Sequence, residues 1–154
     1  MTTTSRIPQA IDNLLALLQA APGLDGVKVI DGPLVTSDPL KEAVFVGFDG
    51  DPDGEGQAVE FTQTWASIGQ RSRAETFTIR CAVAVWRGSI KVRPVRVRAF
   101  EVLGVVEDVV RASPDLGLPP PTVTAFASGS LVLDQRSTGL ECRIPFDIAV
   151  QTRI

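Results

Sequence analysis

Four carboxylates and a glycine at fixed spacing form the sharpest chemical pattern in the chain. Asp49, Asp51, Asp53, Gly54 and Glu60 match D-x-D-x-D-G-x5-E, the calcium loop of an EF-hand. Hard oxygen donors at alternating positions, a glycine for the turn and a closing carboxylate suit a calcium ion. An EF-hand also needs a helix on each side of the loop. Here both flanks alternate like strands, and Pro52 restricts the backbone. The expected state of residues 49–56 is therefore a solvated β-hairpin turn rich in Asp, Gly and Pro, with Glu55 adding a further charge. A calcium-binding β-rich module using residues 49–60 is the alternative.

The second pattern is basic. Arg87, Lys91, Arg93, Arg96 and Arg98 follow one another with no acid between Glu75 and Glu101. Several fall at the expected start of a helix, where cations oppose the macrodipole. That conflict points to docking on an acidic partner surface. Only Trp86 and Phe100 accompany these charges, so base stacking is poorly served. Arg71 and Arg73 add two more charges in a polar loop at 67–74. Asp49, Asp51, Asp53, Glu55, Arg71, Arg73, Arg87, Arg93, Arg96 and Arg98 are thus the candidate interface residues. Residues 49–55 and 87–98 are expected on intersubunit surfaces, opposed across a contact between copies. Arginine outnumbers lysine twelve to three, but codon bias in a G+C-rich genome accounts for much of that excess.

What the chain lacks narrows its chemistry. Histidine and tyrosine are absent, which removes imidazole acid–base and Ser-His-Asp or Cys-His catalysis. Two cysteines without histidine cannot build the usual structural zinc site. Cys81 and Cys142 fall in apolar strand patterns and are expected as small buried thiols, not a disulfide. Asp51 and Asp53 have no partner to split their pKa values, so no acid–base dyad is expected. No phosphate-binding glycine loop or CxxC occurs. The expectation is a protein that is not an enzyme, with no cofactor and no catalytic residue. A net charge of −3 over 154 residues gives no general basic excess for nucleic acid. No secretory signal or membrane span is expected.

The elements that must carry these residues follow from periodicity. Ile11, Leu14, Leu15 and Leu18 recur at helical spacing after Pro8, predicting a helix over 8–21. Short strands are predicted over 27–30 and 43–48. Val59, Phe61, Gln63 and Trp65 alternate with Glu60, Thr62 and Thr64, predicting a half-buried strand. Phe77, Ile79, Cys81, Val83 and Val85 mark the clearest strand, ending at 86–88. Trp65 and Trp86 should lie at opposite ends of paired strands and pack in or near the core. A second helix spans 94–112, with Arg98, Glu101, Gly104, Asp108 and Arg111 as its polar stripe. A final hairpin joins 122–133 to 139–151 around 134–138, with Pro145 placing its second strand near an edge or bulge. The whole chain, 1–154, is expected as one α+β domain, a mostly antiparallel mixed sheet with two helices packed on it.

These segments together resemble the tail terminator proteins of long-tailed bacteriophages, those of actinobacteria above all. The resemblance lies in VFVGFDGDPDGEGQAVEFTQTWASIG (44–69), RSRAETFTIRCAVAVWRG (71–88), RAFEVLGVVEDVVRASPDLG (98–117) and LECRIPFDIAVQTRI (140–154). It implies a structural virion protein, assembled in the host cytoplasm and placed at the head-proximal end of the tail. Such proteins form a hexameric ring that caps the tail tube, ends its polymerisation and joins the tail to the head connector. The implied partners are other copies of the chain, the tail tube protein and the head–tail connector protein. Genomic DNA would pass through the lumen transiently and without sequence preference. The resemblance implies no cofactor, no catalytic residue and no membrane.

Overall fold

A computed structural model describes residues 3–34, 40–66, 68 and 71–154. Helix α1 spans Ile7–Ala20 and is followed by a 3-10 turn at Pro22–Leu24. Strands β1 (Lys28–Asp31), β2 (Glu42–Val46), β3 (Val59–Trp65) and β4 (Arg73–Arg87) come next. Helix α2 (Val92–Ala112) leads into β5 (Val123–Gly129), β6 (Val132–Arg136) and β7 (Gly139–Arg153). The class is α+β, with one mixed seven-stranded sheet.

Two 15-residue strands, β4 and β7, form its spine and pair antiparallel from Ala74↔Arg153 to Arg87↔Leu140. Each outer edge of this pair is shared. β2 and β3 divide the free side of β4, and β6 and β5 divide that of β7. The parallel pair β1–β2 is the exception to antiparallel order.

Alternation gives the spine one apolar face. Phe77, Ile79, Cys81, Val83 and Val85 of β4 and Leu140, Cys142, Ile144, Phe146, Ile148 and Val150 of β7 are buried there. Leu14 and Leu18 of α1 and Val95, Ala99, Val102, Val106 and Val110 of α2 cover them in one core. At about 25 cal/mol per Å² of apolar surface, this burial is the main stabilising term. Phe126 and Phe146 stack at 5.1 Å between ring centroids, extending the core onto β5.

The structure corrects several expectations. Residues 122–133 are not one strand: β5 and β6 are separate, and the final turn is confined to residues 137–138. β7 is interior, not at an edge. Pro145 pairs with Ala82 on one side, and its carbonyl accepts the Ser130 N–H at 3.0 Å on the other. An antiparallel residue sends its N–H and C=O toward the same neighbour. The missing N–H therefore faces the interruption between Gly129 and Val132, where the outer ladder is already broken. Strand β3 is mostly exposed, and Trp65 is 71% exposed, not packed in the core. Phe61 and Trp65 stand outside the core that α1 and α2 cover. Trp86 is half-buried, at the far end of the paired strands as expected.

Candidate assembly surfaces

Residues 47–58 leave β2, cross the second face of the sheet and return as β3. Arg80 anchors this excursion. Its backbone carbonyl accepts the N–H groups of Gly47 (2.7 Å) and Phe48 (3.0 Å), and its N–H donates to the Ala58 carbonyl (2.9 Å). Its guanidinium pairs with Asp147 and Glu60, the latter at 3.2 Å. It also donates to Gln57 Oε1 at 3.3 Å. The hydrogen bond to Asp147 raises the Arg80 pKa above its ordinary value, so the charge is permanent. Ser128 Oγ donates to the same Asp147 oxygen at 2.9 Å, tying in β5.

The acidic loop lies against this face. Arg143 Nη1 donates to the Asp49 carbonyl at 3.0 Å. Gly50 has φ +82° and lies over Ala82 and Arg143; a Cβ there would stand 2.6 Å from Arg143 Cδ and 3.2 Å from Ala82 Cβ. Only glycine meets both demands. The loop thereby buries Ala82, which alternation alone would leave facing solvent. Within the loop, Asp49 Oδ1 accepts the Asp51 N–H (2.9 Å) and Asp51 Oδ1 accepts the Asp53 N–H (3.0 Å), two successive Asx turns. Glu60, the closing ligand of the EF-hand pattern, is engaged by Arg80 instead, and the flanks are β2 and β3. Among the described residues, no three acidic or thiol side chains converge as a metal site would require.

The basic stretch divides in two. Arg98 Nε donates to both Glu42 oxygens, at 2.7 and 3.1 Å, and its Nη1 reaches Glu101 at 3.3 Å. Arg87 lies 3.6 Å from the same Glu42. Bonding to Glu42 raises the Arg98 pKa. Glu42 stands 56 residues from Arg98 in sequence, so the acid missing from the local stretch is supplied by β2. Lys91, Arg93 and Arg96 have no acidic partner within salt-bridge distance among the described residues. They occupy the uncapped N-terminal end of α2, with no acid in its first turn.

The sequence-derived residues are therefore not one cluster. Asp49, Asp51, Asp53 and Glu55 lie on the open sheet face. Arg93 and Arg96 lie on α2, across the sheet. Arg87 and Arg98 are held in place by Glu42. Arg71 is exposed at the β3–β4 hairpin, whose tip lies partly outside the described residues, and Arg73 donates to Gln63 Oε1 at 2.9 Å.

Two features escaped sequence reading. Glu75 is fully buried. It accepts the Arg6 N–H at 2.8 Å, placing a carboxylate at the N-terminus of α1, and the Gln63 amide at 2.5 Å. Its place in the alternation with Phe77 and Ile79 was the available signal. The other feature is the exposed side of β3, with Phe61 at 56% and Trp65 at 71% exposure, followed by a fully exposed Ile68.

The remaining chemistry is limited. Burial pushes the Cys81 thiol up to about 12 and raises that of Cys142. Neither cysteine is bonded to another. A shallow pocket of about 220 Å³ opens between Ala74, Thr76, Val123 and Gln151. Among the described residues, no helix is long and apolar enough to cross a membrane.

The fold and these surfaces define an α+β protein with charged patches of opposite sign on opposite sides of one sheet. Comparison with protein-family models gives no match, and comparison with curated proteins gives none.

Proposed function

We propose that the chain is a tail terminator of a long-tailed bacteriophage, a structural protein that is not an enzyme. It caps the head-proximal end of the tail tube as a hexameric ring, ends tube polymerisation and meets the head connector. The observation that carries this reading is the separation of charge. Asp51, Asp53 and Glu55 stand on the open face and Lys91, Arg93 and Arg96 on the helix side. No oppositely charged side chain lies within salt-bridge distance of either set among the described residues.

Different patches on different sides favour a heterologous contact, in which one surface of a subunit meets another surface of the next. Such contacts close into rings when the rotation allows. The spine adds a second asymmetry, because its two ends carry different chemistry. One end holds the β3–β4 hairpin and the chain terminus at Ile154, bonded to Arg73. The other holds Arg87, the β6–β7 turn and the start of α2. A terminator needs such a difference, since one end meets the tube and the other must not extend it.

In a phage carrying this gene, deletion should give full heads without tails and unattached tubes of uncontrolled length, seen by electron microscopy of lysates. Normal tails joined to heads would refute the proposal. Ring assembly should also weaken as salt rises from 0.05 to 0.5 M, roughly, because screening acts on exposed opposite charges.

A further inference from the structure

Strand β3 is an edge that nothing among the described residues covers. Natural edges are usually blunted by lysine, proline, bulges or shortness. β3 runs seven residues without a break, and its sole charge is Glu60. Its two aromatic side chains are more exposed than buried.

The ladder fixes which backbone groups are free. The Ala66 N–H donates to the Ser72 carbonyl, and the Arg80 N–H to the Ala58 carbonyl. Even-numbered residues of this segment therefore face β4, because bonded pairs alternate with unbonded ones. The N–H and C=O groups of Val59, Phe61, Gln63 and Trp65 all point outward. β5 directs only Thr124 and Phe126 outward before its bulge between Phe126 and Ser128, since Val123 and Ala125 pair toward β7. β6 offers only Leu133 and Gln135 by the same alternation. β1, bonded only to β2 and four residues long, directs two residues outward. None of these three edges can satisfy all four positions of β3.

Another β3 can. We propose that two copies of the chain pair antiparallel through β3 about a two-fold axis at Thr62. In that register Val59 faces the partner's Trp65 and Phe61 faces the partner's Gln63, so every outward backbone group finds a complement. Aromatic and β-branched side chains meet on the helix side, a favourable cross-strand pair. Glu60 faces the partner's Thr64, so no like charges oppose. A register slipped by one residue would direct inward-bonded groups at outward ones and is excluded. The contact is isologous and closes at two copies. It is thus independent of the ring reading and gives a different mass.

At tens of micromolar and about 0.5 M salt, where the charged ring contacts are screened, light scattering should give about 33 kDa, twice the 16.4 kDa chain. Thr62 is exposed, and two copies meet at an unbonded pair about 4.5 Å apart between Cα atoms. The Thr62→Cys variant should form a disulfide-linked dimer under mild oxidant, because that spacing suits the bond. Thr64→Cys should not, its two copies lying about 14 Å apart along the strands. The native thiols at Cys81 and Cys142 are buried and should not interfere. Thr62→Lys sets like charges across the axis and should weaken the dimer about two- to five-fold. A monomer at all concentrations, a dimer indifferent to Thr62→Lys, or cross-linking through position 64 and not 62 would overturn the proposal. A ring without the 62 cross-link would overturn it while leaving the terminator reading intact.

Discussion

The buried carboxylate Glu75 sits in a directional chain of hydrogen bonds that can be tested by reversing it. Arg73 donates to Gln63 Oε1 at 2.9 Å, and Gln63 Nε2 donates to Glu75 Oε2 at 2.5 Å. Glu75 Oε1 accepts the Arg6 N–H, and Gln63 Nε2 also reaches the Thr4 carbonyl at 2.9 Å. Glu75→Gln keeps the shape and leaves an acceptor for Arg6. Its new amide then meets the Gln63 amide, donor against donor. Rotating Gln63 only moves the conflict to Arg73. One buried hydrogen bond to a charged group is lost and a donor stranded, which costs about 2–3 kcal/mol. For a chain of this length that corresponds to a fall in Tm of about 4–12 °C. Gln63→Glu alone places two carboxylates in contact and should also destabilise. In the double variant the chain is complete again, with acceptor and donor exchanged between positions 63 and 75 and only the Thr4 bond missing. The double variant should recover about 1–3 kcal/mol relative to the sum of the single effects. Urea titration of the four proteins measures this coupling. Additive single effects, or a Glu75→Gln variant as stable as the parent, would refute the directional network.

Two glycines should respond in opposite directions to alanine. At Gly139 the new Cβ would run into the Arg87 carbonyl, so Gly139→Ala should destabilise by more than about 2 kcal/mol in thermal melts. At Gly104 a Cβ meets nothing within 4 Å inside helix α2, so Gly104→Ala should stabilise by about 0.5–1 kcal/mol. Cys81 titrates near 9.0 when unfolded and about 12 when folded. Its raised folded pKa contributes stability below pH 9 that is lost as pH rises toward 12. Alkaline melts should record that loss, and disulfide reagents at pH 8 should modify Cys81 only after denaturant is added.

Local periodicity carried the elements of this protein well. A period of 3.6 at Ile11, Leu14, Leu15 and Leu18, and a period of two from Phe77 to Val85, are properties of neighbouring residues and need no tertiary information. The two helices, the long β4 and the inward face of β7 were therefore legible in the chain. The turn-forming character of the acidic loop was legible too, because its glycines and aspartates act over a few residues. The expected β-hairpin is not formed: β2 and β3 each pair with β4 and not with one another, so the loop crosses the sheet.

Tertiary structure decided everything that depends on which strands become neighbours. Arg98 reads as an unpaired cation until β2 brings Glu42 beside it across 56 residues. Pro145 reads as a residue at an edge or a bulge until the interruption between β5 and β6 is placed opposite its missing N–H. Alternation along β3 predicts a buried side but cannot say how far a helix extends over it, and Phe61 and Trp65 fall beyond that cover. Ala82 reads as solvent-facing until residues 47–58 fold across it. Side-chain period reports the direction a residue faces, whereas burial depends on what arrives from elsewhere in the chain, and that is a long-range property of the fold.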